Sequence, residues 1–439
     1  MTSSTYHLNY YNLIKVTIFF LVIGNLARSV IKTPSAIIEL FLLLALLFFA
    51  ILYAVQNFTI TKSSTVIFFI FLFYLLLHTI SATIIRPLSL DISFFSTLQF
   101  NLLEFRISVI SYFLPLIFLP LNHKNILKLE HFFYILLKFA IVYTIFEQIT
   151  SLLGFRGFYE FAYSNSGVVS GNQIGAKSLG MYRIWGLVGS PQLLGVFHVM
   201  TLFFMLHKHD NFWAKLSFIA IILSTSKTAY LIMIAAGFLY LLYRRKYALL
   251  LFSSILFIIL TIFLFNFYYY LIESNSDNFS AFQKFIGSII GYGLNIMNVE
   301  EVSRPDRFIP GGPLYKLIMY YQANPLEIFL GKGLTYSFQD TLISDSPFAK
   351  YLYLTSDFYI LTFFDQYGAF GTILLIYIFL IYPLKKLLTE NSYLNFIPII
   401  FFMSMFHYPP QISKLMMIVV AYPLWNLYLS QYQNVKKTN

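Results

Sequence analysis

The chain has 439 residues, of which 59% are hydrophobic, 20% aromatic and only 11% charged. A soluble domain usually carries about 25% charged residues, so water is excluded as the solvent for most of this surface. The formal net charge is +11 and cysteine is absent, which rules out a disulfide framework, a thiolate nucleophile and a cysteine metal site. In so apolar a chain, Lys and Arg are topology signals or ligands for lipid phosphate rather than a nucleic-acid footprint.

A helical span needs about 20 apolar residues, which leaves room for about a dozen spans and their loops. In chain order, apolar runs bounded by charge or turn residues predict helices over 12–30, 36–55, 64–85, 107–121, 131–153, 184–206, 213–224, 228–243, 248–271, 355–383, 394–408 and 412–430. The first run is read as a retained span, because no basic segment precedes it and no small-residue cleavage site follows it. The stretch 213–243 is read as two short helices joined at Ser224-Thr225-Ser226-Lys227-Thr228, a cluster polar enough to need water or protein partners. The expected class is an all-α polytopic membrane protein, with residues 1–439 forming a single integral membrane domain.

With the amino terminus inside, the short inner segments hold thirteen Lys and Arg residues, including Lys124, Lys128, Arg244-Arg245-Lys246 and Lys385-Lys386. The short outer segments hold six: Arg28, Lys32, Arg86, Arg106, Lys227 and Lys414. That asymmetry predicts cytoplasmic termini. It also puts two long loops outside, 154–183 and a partly helical 272–354, and connections of such length tend to be functional. The two halves differ in loop length and no internal repeat is visible, which counts against a transporter or flippase built from related halves.

Basic residues stand out on the outer side, among them Arg156, Lys177, Arg183, Lys284, Arg304, Arg307, Lys316 and Lys332. Singly each reads as a solvated or snorkelling charge. As a group they oppose the usual bias, and a diphosphate is a natural partner for planar, bidentate arginine. Arg183 opens Arg183-Ile184-Trp185-Gly186-Leu187-Val188-Gly189-Ser190-Pro191, where the glycines and proline bend a helix or admit a ligand to the backbone. Lys227 between two spans is a functional candidate by default, an ion pair with Glu147 being the structural alternative. Residues 324–334 read as a helix stop followed by the turn Gly331-Lys332-Gly333. Asp357 is a general-base candidate or a helix N-cap. There is no phosphate-binding Gly-rich Lys-Ser/Thr loop, no His-Glu-x-x-His and no Gly-x-Ser-x-Gly elbow. His78 and His198 are expected to pack within spans.

The series Arg183-Ile184-Trp185-Gly186 with Ser190-Pro191-Gln192, then Ser224 to Ala229, then Arg304 to Arg307 leading to Gly331-Lys332-Gly333, then Asp357 before Tyr367-Gly368 and Gly371, resembles the O-antigen polymerase and ligase superfamily. The likeness lies in order and spacing over about residues 180–375. It implies a polytopic glycosyltransferase of GT-C-like architecture in the bacterial inner membrane, working on its outer face. The implied donor and acceptor are undecaprenyl-diphosphate-linked glycans, with no cofactor, no metal and a chain-length regulator as possible partner. Arg183, Lys227, Arg304, Arg307 and Lys332 would bind the diphosphate, and Asp357, with Asp306 second, would be the catalytic base. Lys227 stands where the family usually has arginine, keeping the charge but losing the fork. The ligase branch typically has a His near the span that begins around Ser356, and this chain has none between His209 and His407, which favours polymerase over ligase.

Overall fold

The computed structural model of the chain describes residues 10–21, 35–60, 62–90, 105, 109–164, 177–178, 181–273, 325–331, 359–390, 392–406, 410 and 413–430. Helix dominates, with one antiparallel pair of two-residue strands, β1 (Lys177–Ser178) and β2 (Met181–Tyr182). The helices are α1 (Tyr10–Leu21), α2 (Ser35–Asn57), α3 (Ser63–Leu90), α4 (Ile110–Phe113), α5 (His123–Thr150) and α6 (Arg156–Ser164). They continue as α7 (Pro191–His207), α8 (Asn211–Leu223), α9 (Lys227–Tyr243), α10 (Tyr247–Glu273), α11 (Pro325–Leu330) and α12 (Tyr359–Ile376). The last three are α13 (Tyr382–Thr389), α14 (Phe396–Ser404) and α15 (Lys414–Leu424). Among the described residues, four stretches are helical, long and apolar enough to cross a membrane: Ile38–Asn57, Ser63–Ser81, His123–Glu160 and Phe363–Thr389.

The solvent around these helices is legible in which side chains point outward. Every residue of α15 is buried, as is nearly all of α14, so these two form the centre of the bundle. A helix apolar all round belongs in such a centre or in lipid. Outward lie large apolar side chains, such as Phe41 and Val55 of α2 at 76% and 80% exposure. Over the last turns of α5 and into Ser151 the amphipathic pattern of a soluble helix is inverted: Thr144, Glu147, Gln148 and Ser151 point inward, whereas Val142, Phe146 and Ile149 point out. Polar atoms turned to the interior and phenyl rings to the exterior are what a hydrocarbon solvent selects.

Three of the differences from the sequence reading have a clear local reason. Helix α5 starts at His123 rather than 131, because the Asn122 side chain accepts the Asn125 N–H at 2.9 Å and caps it there. Helix α7 starts at Pro191 rather than 184, because Gly186 and Gly189 take φ of 55° and 76°, conformations that a helix does not allow. The stretch 107–121 is broken, α4 giving way to a 3₁₀ turn over Leu114–Phe118 that contains Pro115. The first long loop is also more ordered than expected at its start. After a kink at Gly154 (φ 99°) the chain re-enters helix as α6, with Phe155 and Phe158 outward and Arg156 and Tyr159 inward. The division of 213–243 into α8 and α9 agrees with the sequence, the left-handed Thr225 (φ 53°) separating them.

Candidate functional site

The first two motifs of the series, distant in sequence, dock on each other. The turn Ser224-Thr225-Ser226 packs against the first turns of α7 at Gly195, where an added Cβ would stand 2.5 Å from the Ala229 Cβ and 2.6 Å from the Ser224 Oγ. Only glycine permits that approach. The Ser226 hydroxyl donates to the Gln192 carbonyl at 3.0 Å and its oxygen also caps α9, accepting the Ala229 N–H. The docking fixes Lys227, the first residue of α9, beside the loop that carries Arg183, near enough for the two cations to act on each other electrostatically.

The Arg183 loop is held from beneath by α5. The Glu147 carboxylate, fully buried, accepts the Trp185 N–H at 3.1 Å on one oxygen and the Gly186 N–H at 2.9 Å on the other. Glu147 therefore acts as a cap on this turn, with both oxygens engaged by backbone. Arg183 itself is half-buried, and partial burial pulls its pKa down from the ordinary guanidinium value. A guanidinium stays charged at neutral pH all the same. Among the described residues no carboxylate forms an ion pair with it.

Arg156 completes the cluster. It is 5% exposed, its Nη2 donates to the Arg183 carbonyl at 3.1 Å and its Nε pairs with Glu160 at 3.3 Å. The guanidinium lies 4.3 Å from the Trp185 ring centroid and 5.1 Å from that of Tyr182. Its Nη1, the Gln148 amide and the Ser151 hydroxyl are buried without hydrogen-bond partners among the described residues. Each such group costs about 1–3 kcal/mol unless something polar meets it. Cations and donors gathered in so dry a place suit an anion with more than one charge, since attraction there is screened far less than in water. Among the described residues, no three His, Asp or Glu side chains come together as a metal site.

The last two motifs also dock. Helix α11 stops at Gly331 (φ 75°), which meets Gly368 (φ 65°, ψ −172°) inside α12 at backbone contact, so that a Cβ on either would strike the other strand of chain. That combination of angles at Gly368 is essentially confined to glycine. The Tyr74 hydroxyl lies 3.0 Å from the Leu330 carbonyl oxygen and 2.8 Å from that of Tyr367, clamping the contact. Of the site residues expected from sequence, Arg183 and Lys227 are thus brought together, while Asp306, Arg304, Arg307, Lys332 and Asp357 lie outside the described residues. His198 is fully buried and hydrogen-bonded to Thr144 at 2.8 Å, as expected for a packed histidine. The sequence reading underrated three residues. From sequence alone Arg156 reads as one loop charge among many, Glu147 as an ion-pair partner and Lys414 as a topology signal. Lys414 is buried at the start of α15 and donates to the Ser111 Oγ at 2.7 Å. No protein-family model matches the chain, and neither a curated protein nor a solved structure does.

Proposed function

We propose that the chain is a multi-pass inner-membrane glycosyltransferase of the O-antigen polymerase type. It would extend O-antigen or capsular glycan from undecaprenyl-diphosphate-linked repeat units on the outer face. The observation that carries this reading is the docking of Gln192 and Gly195 on residues 224–229, which leaves Lys227 within electrostatic reach of Arg183, whose backbone carbonyl is held by the buried Arg156. Cations held in place in a low-dielectric site stabilise charge as it develops, which is what departure of a diphosphate requires. In the proposed reaction, a hydroxyl of the acceptor repeat unit attacks the anomeric carbon of the donor glycan. The bond from that carbon to the lipid diphosphate breaks, the diphosphate leaves with the electron pair, and Asp357 takes the hydroxyl proton. Asp306 is the second choice for that base, and Arg304, Arg307 and Lys332 would join in holding the leaving group. No metal or cofactor is invoked, because the protein's own cations supply the neutralising charge.

The proposal includes about twelve spans with both termini in the cytoplasm, supported by the short-loop charge asymmetry. Reporter fusions at Lys246 and Asn278 are expected to report opposite sides of the membrane, and the same side for both would overturn the topology. The function is tested by the surface glycan of a deletion strain. Single repeat units on the surface are the expected outcome, whereas accumulated lipid-linked polymer would mean a ligase.

A further inference from the structure

At the opposite end of α5 from Arg156 lies an open cavity of about 490 Å³ between α1 and the first turns of α5. That volume falls in the range of about 300–1,000 Å³ typical of small-molecule sites. Its walls carry Lys15, Lys124, Lys128 and His131, with the rings of Tyr11 and Phe132. Lys124, Lys128 and His131 are spaced i, i+4 and i+7 on α5 and so share one face. Lys15 reaches over from α1, its Nζ 5.5 Å from the ring centroids of both Tyr11 and Phe132.

No carboxylate among the described residues lines this cavity. The acidic groups near this end of α5 are engaged elsewhere: Glu130 pairs with His207 at 3.1 Å and Lys208 at 3.0 Å, and Asp210 pairs with Lys138 at 3.2 Å. Three lysines thus line one cavity with no carboxylate among its described lining residues. Beside them, Leu127 and Ile135 are 52% and 53% exposed on the same wall, an apolar surface continuous with the cationic one. Cation and exposed aliphatic side chain together match an amphiphile, in which charge and hydrocarbon are joined. A soluble phosphate would leave the apolar wall unused. The cavity stands at one end of a stretch long and apolar enough to cross a membrane.

We propose that the α1–α5 cavity is a binding site for the phosphate headgroup of an anionic phospholipid, with Lys15, Lys124 and Lys128 as the ligands and Leu127 and Ile135 against the acyl chain. Lysine suits this role, because a compact charge on a flexible stem follows a headgroup without demanding one orientation. A basic pocket among helix ends on the lysine-rich side of a membrane protein is a recognised lipid chemistry. The site is separate from the Arg183 cluster and does not depend on the proposed enzymatic activity.

The test is retention of lipid by the full-length, delipidated protein, read by native mass spectrometry after titration with phosphatidylglycerol or phosphatidylcholine of the same acyl chains. The protein is expected to keep phosphatidylglycerol in preference to phosphatidylcholine. Each lysine near a charged lipid surface contributes about five-fold in affinity, so Lys15→Gln/Lys124→Gln/Lys128→Gln is expected to lose about 100-fold. The corresponding triple arginine variant keeps the charge and is expected to keep the lipid. Should the triple glutamine variant fail to fold, Lys124→Gln alone is expected to lose about five-fold. Equal retention by the parent and by whichever glutamine variant folds would overturn the proposal, as would equal binding of phosphatidylcholine. Displacement of the lipid by an equal concentration of glycerol 3-phosphate would overturn the lipid assignment in favour of a soluble phosphate.

Discussion

At its His123 end, α5 offers Lys124 and Lys128 to the outside, exposed, with no carboxylate of the described chain beside the cavity they line. At its other end the cations are packed: Arg156 is buried between aromatic rings, and Arg183 is half-buried on a turn that Glu147 fixes. The difference is one of precision. Long lysine stems in a headgroup environment can follow a mobile anion, whereas a guanidinium such as that of Arg156, held by hydrogen bonds and rings, is fixed in one place. The residue types follow the same division, lysine at the open end and mainly arginine at the closed one.

If the closed end is a site for a leaving diphosphate, the largest effect belongs to Arg183. Arg183→Ala is expected to lower polymerisation by at least about 100-fold, the scale for removing one fixed group that meets developing charge. Arg183→Lys should retain a small residue of activity, because the charge persists without the fork. Glycan chain length in a strain complemented with each variant reads both outcomes, and long chains from Arg183→Ala would break the comparison between the two ends.

Next in size is the packing that brings Lys227 to Arg183. Gly195→Ala puts a Cβ 2.5 Å from the Ala229 Cβ and is expected to destabilise the purified protein by about 1–3 kcal/mol. Gly157→Ala, with nothing within 4 Å of the new Cβ, should stay within about 0.5 kcal/mol of the parent. Thermal unfolding in detergent measures the pair, and equal effects would mean that the docking of the two motifs does not depend on the close approach.

The smallest effect concerns the compensated face of α5. Asp210 sits in the turn between α7 and α8, where a hydrogen bond from the Tyr134 hydroxyl and the nearby Lys138 hold its carboxyl below the usual aspartate range. A folded-state pKa below the unfolded one contributes stability above the unfolded value of about 3.9, and that stability is lost as pH falls through the folded value. The parent should therefore lose slightly more stability than Asp210→Asn on acidification below about pH 4, and the two should run parallel above about pH 5. An acid slope unchanged in Asp210→Asn would remove Asp210 from the account.

Much of this was legible in the sequence because membrane solvent leaves a strong mark on composition, and because glycine and proline fix turns wherever they occur. The polar break at Ser224-Thr225-Ser226 and the stop at Gly331 were both readable on those grounds, and both stand. The bend after Arg183 was readable too, though its position at Pro191 needed the two positive φ values. What could not be read was which charges face one another. Arg156 becomes a site residue only because the Gly154 kink turns α6 so that the guanidinium lies on Trp185, 29 positions away in sequence (185 − 156). Glu147 becomes a cap only because the turn at Gly186 aims two N–H groups at it. The signal for Glu147 was present as a carboxylate placed by helical spacing beside Gln148 and Ser151 on an inward polar stripe, inside an otherwise apolar run.

The central claim is that Arg183 and its neighbours hold a diphosphate. Its most direct test is retention of undecaprenyl diphosphate by purified parent and Arg183→Ala protein of equal thermal stability, read by native mass spectrometry against undecaprenyl monophosphate. The account predicts that the parent prefers the diphosphate and that Arg183→Ala loses that preference by at least about 10-fold, the scale of one charge-assisted hydrogen bond. Equal retention of the diphosphate by both proteins would contradict it.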